Sequence, residues 1–234
     1  MTDLIPTPAQ VRVPVRGGGT FPVRRIYCVG RNFADHAREM GAVAPASKAE
    51  RGQPVFFLKP ADAVVTGNAD VPYPSATSDL HHEVELVVAL GRDAPAGELA
   101  VEQASALVLA YGVGLDLTRR DLQAAAKAKG LPWDIGKGFD HSAPISELVP
   151  AAQVAALDTL TLRINDQIRQ QASLTDLIWD VPDILHELSK LFALKAGDLI
   201  FMGTPAGVGP MLPGDVFVAT LDGVTELRGR ITAV

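Results

Sequence analysis

At 234 residues and 47% hydrophobic content, the chain is long enough for one large domain with a substantial core. Its net charge of −6 and pI near 5.3 argue against a nucleic-acid partner or an anionic membrane surface. A single cysteine, Cys28, excludes an internal disulfide and a cysteine-based zinc cluster. With no run of about 18 apolar residues and no signal-peptide pattern at the start, a soluble, cytoplasmic protein is expected.

Residues 1–24 carry Pro6, Pro8, Pro14 and Pro22 around Gly17, Gly18 and Gly19. This reads as an N-terminal edge segment, a short strand over 11–15 and a turn, ahead of one domain over 25–234. Residues 25–29 form a short apolar strand. Asn32 then has the chemistry to cap a helix that Gly41 ends. On that helix His36 and Glu39 stand three apart, within reach of each other. A carboxylate behind a histidine prepares an imidazole as a general base; the same spacing also occurs in ordinary surface pairs. Residues 42–53 are small, polar and aperiodic, which suits a flexible lid beside the histidine helix.

After a strand over 55–58 and a turn-rich loop over 68–78 comes DLHHEVELVVAL, residues 79–90. Alternation of Val84, Leu86, Val88 and Leu90 with His81, Glu83, Glu85 and Val87 predicts a strand. Glu83 and Glu85 then project from one face, Cα atoms roughly 6–7 Å apart. Two adjacent buried carboxylates repel and are costly to desolvate, and a hard divalent cation between them relieves both costs. The plainer alternative is an exposed sheet face.

A helix is expected over 101–109 and a strand over 111–117, with Asp116 near its end. An amphipathic helix over 119–129 follows, carrying Arg120 and Gln123 on one face and stopped by Gly130 and Pro132. Lys137 sits between Gly136 and Gly138; the spacing does not fit a phosphate loop, and a solvated loop lysine is the plain reading. Residues 160–164 and 167–171 make a hairpin about Asn165-Asp166. A core helix over 179–192, a strand over 199–202, a glycine-rich loop over 203–209, and a closing antiparallel pair over 216–221 and 225–232 complete the chain. The loop suits either a substrate carboxylate or a simple turn. Periodicity gives a strand-rich α+β class.

The segments YCVGRNFADHAREMG, PVFFLKPADAVV, HHEVELVVALG, GLDLTRRDLQ, LPWDIGKGFD, SLTDLIWDV and GDLIFMGTPAGVGP occur in order from Phe21 onward. Together they resemble the fumarylacetoacetate hydrolase superfamily, especially the short bacterial fumarylpyruvate hydrolases of gentisate breakdown and next the acylpyruvases. The resemblance implies a mixed β-sandwich roll with peripheral helices, usually a homodimer. It also implies one Mg²⁺ or Mn²⁺ per chain on Glu83, Glu85 and Asp116, and a catalytic dyad at His36 and Glu39. Lys137 would join the catalytic set, with Arg120, Gln123 and Thr204 holding substrate. His81, on the glutamate face by strand parity, would support the ligands from behind.

Three carboxylates without cysteine or histidine suit a hard, oxygen-preferring ion. The implied reaction is hydrolysis of a C–C bond in a small 2,4-dioxo acid. The alternatives are decarboxylation or tautomerisation of oxaloacetate, and a non-catalytic oxo-acid-binding protein.

Overall fold

A computed structural model describes residues 4–39, 41, 43, 45 and 47–233. Two large sheets carry the α+β architecture. One has six strands in the order Val149–Pro150, Val108–Leu115, Val84–Leu90, Asp198–Phe201, Arg25–Gly30 and Val55–Lys59. The other has five, in the order Gln167–Ser173, Thr159–Ile164, Val216–Leu221, Thr225–Thr232 and Val71–Pro72. The sheets share one core: Val84, Leu86, Val88 and Leu90 from the first meet Leu160, Leu162, Phe217 and Leu227 from the second. The opposite face of the six-stranded sheet builds a second core from Ile26, Cys28, Val87, Ala89, Leu199 and Phe201. The hairpin of Arg12–Pro14 and Thr20–Pro22 closes it with Val13 and Phe21. Because both faces are covered, all seven residues of Val84–Leu90 are buried, Glu85 included. An exposed glutamate face is thereby excluded. No helix among the described residues is long and apolar enough to cross a membrane.

Several local expectations hold closely. The closing pair is Val216–Leu221 with Thr225–Thr232, and the hairpin turns through Asn165 and Asp166, both at positive φ as a tight two-residue turn requires. Others need correction. The expected strand over 79–90 is interrupted at Glu83: Leu80–His82 pairs with Thr118–Arg119 and Gly209–Pro210, and Val84–Leu90 joins the large sheet. The expected helix over 101–109 is a short turn, Val101–Ala104, continued as Ser105–Leu107; the strand begins already at Val108, which pairs with Leu90. Cross-strand partners there override the local helical pattern.

Asn32 is not a helix cap. Its buried amide donates to the Trp179 and Met202 carbonyls, and its oxygen accepts from the Trp179 N–H. Three tertiary hydrogen bonds outweigh one cap, and the helix that follows spans only Ala34–Glu39. Residues 42, 44 and 46 of the expected lid lie outside the described residues. Further on, Lys48 pairs with Asp180 and Asp183, and Arg51 pairs with Asp183 while stacking 3.9 Å over Trp179. This end of the segment is therefore tied down against the start of the helix Val181–Ser189.

Candidate active site

The parallel strands Arg25–Gly30 and Asp198–Phe201 deliver two loops to one end of the sheet. One carries His36 and the other Gly203 and Thr204. Beside them the Val84–Leu90 and Val108–Leu115 strands pair antiparallel with Val84 opposite Leu115. The same register returns beyond the interruption, where His81 stands opposite Thr118. Glu83 and Asp116 therefore face each other across the break, joined by an Asp116 N–H to Glu83 carbonyl bond of 2.8 Å. Directly opposed residues hold their side chains close. That geometry, combined with the two-residue step from Glu83 to Glu85, gathers one oxygen from each of Glu83, Glu85 and Asp116 within 4.8 Å, all three buried.

Cations surround the triad. Lys137, on the single turn Asp134–Lys137, donates from Nζ to Glu83 (2.7 Å), Asp116 (2.5 Å) and Thr118 (2.7 Å). It is buried, so the solvated-loop alternative does not apply. Arg120 pairs with Glu83, donates to Gln123 Oε1 at 2.6 Å, and reaches His81 Nδ1 at 3.4 Å. Burial alone would raise the Glu83 carboxyl, but Lys137 and Arg120 outweigh it and hold Glu83 far below the usual carboxylate range. Burial would likewise depress Lys137, yet Asp116 and Glu83 keep its ammonium more firmly protonated than a free lysine. Glu85 goes the other way. Burial and then the charges of Asp116 and Glu83 push it well above its ordinary value, against the Lys137 charge and a Gly203 N–H at 2.8 Å.

These residues fit a hard divalent cation on direct grounds. The carboxylate Glu85 lacks a countercharge of its own. Asp116 Oδ1 is buried without a hydrogen-bond partner among the described residues, although Lys59 Nζ lies 2.9 Å away outside hydrogen-bonding direction. An all-oxygen carboxylate set with two such under-satisfied members suits Mg²⁺ or Mn²⁺.

His36 is buried on the same cleft, and its Nδ1 lies 3.1 Å from Glu39 Oε2. The other Glu39 oxygen accepts from the Gly207 N–H at 3.1 Å. A carboxylate only accepts, so Nδ1 carries a proton, and in the neutral imidazole Nε2 then offers its lone pair. The cleft is lined by His36, Glu83, Glu85, Asp116, Arg120, Gln123, Lys137 and Thr204. The expected metal ligands therefore meet His36, Lys137, Arg120, Gln123 and Thr204 in one place, with Glu39 standing behind His36.

Others were not singled out. Lys59 is buried against Asp116 and donates to the Leu117 and Lys137 carbonyls. The available signal was a lysine ending an otherwise apolar strand, VFFLK, since a lysine there needs a partner. Gln170 accepts from the Val84 N–H, meets His82 Nδ1 at 2.9 Å, and donates to Thr204 Oγ1 and the Pro205 carbonyl at 2.8 Å each. It fixes Thr204 from a strand far away in the chain. His81 completes a line from Asp79 through Arg120 to Glu83, as strand parity suggested.

Gly203 is required where it stands. It has φ +92°, and a Cβ there would lie 2.7 Å from the Asn32 Cβ and 2.9 Å from the Val29 carbonyl oxygen. Gly203→Ala is expected to cost about 1–3 kcal/mol from the backbone alone. Each kcal/mol lowers Tm by roughly 2–4 °C in a chain of this size. Thermal unfolding of the purified variant checks this, and an unchanged Tm would mean that the loop yields without strain.

Comparison with known proteins agrees with this geometry. The sequence model for the fumarylacetoacetate (FAA) hydrolase C-terminal family matches residues 25–232. The crystal structure of fumarylpyruvate hydrolase from Pseudomonas aeruginosa in complex with Mn²⁺ and pyruvate superposes with a TM-score of 0.93 at 44% identity, covering 100% of both chains. Oxaloacetate tautomerase YcgM of Escherichia coli (strain K12) is 40% identical over 206 residues, 87% of this chain and 90% of that one. The mitochondrial oxaloacetate decarboxylase of Dictyostelium discoideum is 38% identical over 204 residues, 86% of this chain and 90% of that one. A triad built by strand register, a buried lysine across it and a family match over nearly the whole chain lead to one assignment: the chain belongs to the fumarylacetoacetate hydrolase family.

Proposed function

We propose that the chain hydrolyses the C–C bond of a 2,4-dioxo acid, fumarylpyruvate in the first place, yielding fumarate and pyruvate. The observation that carries this reading is the His36–Glu39 dyad opening onto the same cleft as the carboxylate triad. A positioned base is what distinguishes water attack from simple decarboxylation.

Glu83, Glu85 and Asp116 would hold the divalent cation, which when bound stabilises negative charge developing on a substrate oxygen, a contribution of several kcal/mol. His36 Nε2 takes a proton from water as its oxygen bonds to the C4 carbonyl carbon. Glu39 keeps the ring in the required tautomer and steadies the imidazolium. The resulting oxyanion needs a donor. Lys137 has its three acceptors already, whereas the Gln123 amide nitrogen has no partner among the described residues while Arg120 anchors its oxygen. Gln123 is thus the better placed donor, with Lys137 holding the carboxylates in position. Collapse breaks the C3–C4 bond, the electron pair leaves with C3 as the pyruvate enolate, and the acyl half departs as a carboxylic acid. The enolate then takes a proton at C3. Thr204, held by Gln170, is positioned to bind substrate oxygen.

The second reading, oxaloacetate tautomerisation or decarboxylation, is favoured by the names of the Escherichia coli and Dictyostelium relatives. Turnover of fumarylpyruvate, acetylpyruvate and oxaloacetate with Mg²⁺ or Mn²⁺ separates the two. Fumarylpyruvate is expected to give the highest kcat/KM with fumarate and pyruvate as products. Rapid change of oxaloacetate without hydrolysis of either dioxo acid would overturn the proposal.

A further inference from the structure

Beyond the triad the cleft carries cationic side chains with no ion pair among the described residues. Arg120, Gln123 and Lys127 lie at spacings of three and four on the helix Arg120–Ala128, so they share one face, and all three line the cleft. Arg120, at the inner end, is committed to Glu83 and Gln123. Lys127 stands about 10 Å further along the axis, seven residues at 1.5 Å each. Its ammonium has no hydrogen bond or ion pair among the described residues; its close neighbour is the Trp133 ring, with Nζ 4.8 Å from the centroid. Arg31 lines the same cleft from the loop after Arg25–Gly30, equally without a hydrogen bond or ion pair among the described residues. Its φ of +59° is a left-handed conformation that a residue with a side chain adopts at some cost.

These cations work against each other. Burial, then the charges of Arg120 and Arg31, bring Lys127 down to about 8. Glu83 offsets this only in part, so half-burying a lysine beside two arginines costs stability, whereas an anion entering the cleft would relieve the repulsion. Phe57 and Trp133 line the cleft with ring centroids 6.0 Å apart, Phe57 lying 4.9 Å from Lys137 Nζ beside the triad and Trp133 lying 4.8 Å from Lys127 Nζ. The cleft thus runs from a carboxylate-lined end, past an apolar wall, to a cationic end.

We propose that Lys127 and Arg31 form a distal subsite for the second carboxylate of an extended dicarboxylic oxo acid, with the hydrocarbon segment lying against Phe57 and Trp133. This rests on the reading above only for which end of the substrate meets the triad. It makes the acyl carboxylate a determinant of specificity. Acetylpyruvate has no such group, and in oxaloacetate the second carboxylate is too near the ketone to span the aromatic wall.

The test uses the full chain loaded with Mg²⁺ or Mn²⁺, as wild type, Lys127→Met and Arg31→Gln. A lost charge-assisted contact of about 1.5–3 kcal/mol corresponds to roughly 10–100-fold. Each variant is therefore expected to raise KM for fumarylpyruvate by that factor with little change in kcat. The ratio of kcat/KM for fumarylpyruvate over acetylpyruvate should fall at least about tenfold. An unchanged ratio in both variants would overturn the subsite. Calorimetric titration with fumarate and with crotonate, in which a methyl replaces one carboxylate, decides the matter without turnover. Wild type should bind fumarate more tightly than crotonate, and both variants should lose that preference. Equal affinity in the wild type would overturn the subsite. If wild type hydrolyses neither dioxo acid yet keeps a fumarate preference that the variants lose, the subsite stands and the proposed reaction falls.

Discussion

Glu83→Gln and Asp116→Asn are each expected to abolish tight divalent-cation binding and to lower turnover by roughly 10²–10³-fold or more, since a Lewis acid contributes several kcal/mol to such chemistry. Both substitutions preserve volume. Asp116→Asn leaves Lys137 its contacts with Glu83 and Thr118, and Glu83→Gln leaves it Asp116 and Thr118, so the fold should survive. Far-UV circular dichroism and thermal unfolding check that the chain is intact, and calorimetry with Mg²⁺ measures the site itself. Undiminished Mg²⁺ affinity in both variants would sink the triad as the metal site.

Glu85 adds a pH dependence to the same centre. Its pKa in the folded, metal-free chain is raised by burial and by Asp116 and Glu83. Between the ordinary carboxylate value and the raised one, the folded state therefore binds more protons than the unfolded state. Stability of the metal-free chain falls as pH rises through that window. Cation binding requires the deprotonated carboxylate and displaces this proton, so apparent Mg²⁺ affinity should rise with pH across the same window. Titrations in buffers of different ionisation enthalpy would reveal the released proton. Glu85→Gln should abolish both the slope and the binding.

The parts of the site that were legible in the sequence are those set by local periodicity. Glu83 and Glu85 share a face because a strand repeats every two residues, and His36 meets Glu39 because a helix brings residues three apart together. Asp116 is different. It meets Glu83 only through the antiparallel register that sets Val84 against Leu115, a fact of pairing between segments about thirty residues apart that neither segment carries alone. The family resemblance implies this ligand, and the register is its physical cause. The partners of Lys59 and Gln170, Asp116 and His82, are brought to them only by the assembled sheets. Lys137 read as solvated because its glycine neighbours suggest an open loop; two carboxylates facing it are the reason it is buried. The interruption at Glu83 was hidden by the alternation running unbroken through it. The chain there changes sheets without losing its period, and the change leaves the carboxylates facing the cleft rather than the core.

His36→Ala is expected to lose on the order of 10²–10⁴-fold in C–C hydrolysis, the usual range for a positioned general base. Metal-assisted decarboxylation of oxaloacetate should suffer far less, because that reaction needs charge stabilised on an oxygen and no water activated. Glu39→Gln should lie between wild type and His36→Ala, for a geometric reason. Both Glu39 oxygens accept, one from His36 Nδ1 and one from the Gly207 N–H. An amide offers only one acceptor, so either the imidazole or the glycine loop loses its partner. With the His36 contact kept, the imidazolium still loses the negative charge behind it. The measurement is turnover of fumarylpyruvate and oxaloacetate by wild type and both variants, at matched metal content. A selective loss of hydrolysis makes His36 the base that activates water. Equal loss on both substrates would place the dyad in proton transfer at the enolate carbon, a step that keto–enol exchange of oxaloacetate shares, and the tautomerase reading would then take over. Hydrolysis at the wild-type rate in His36→Ala would remove the dyad from the reaction altogether and leave the triad and Gln123 to account for it.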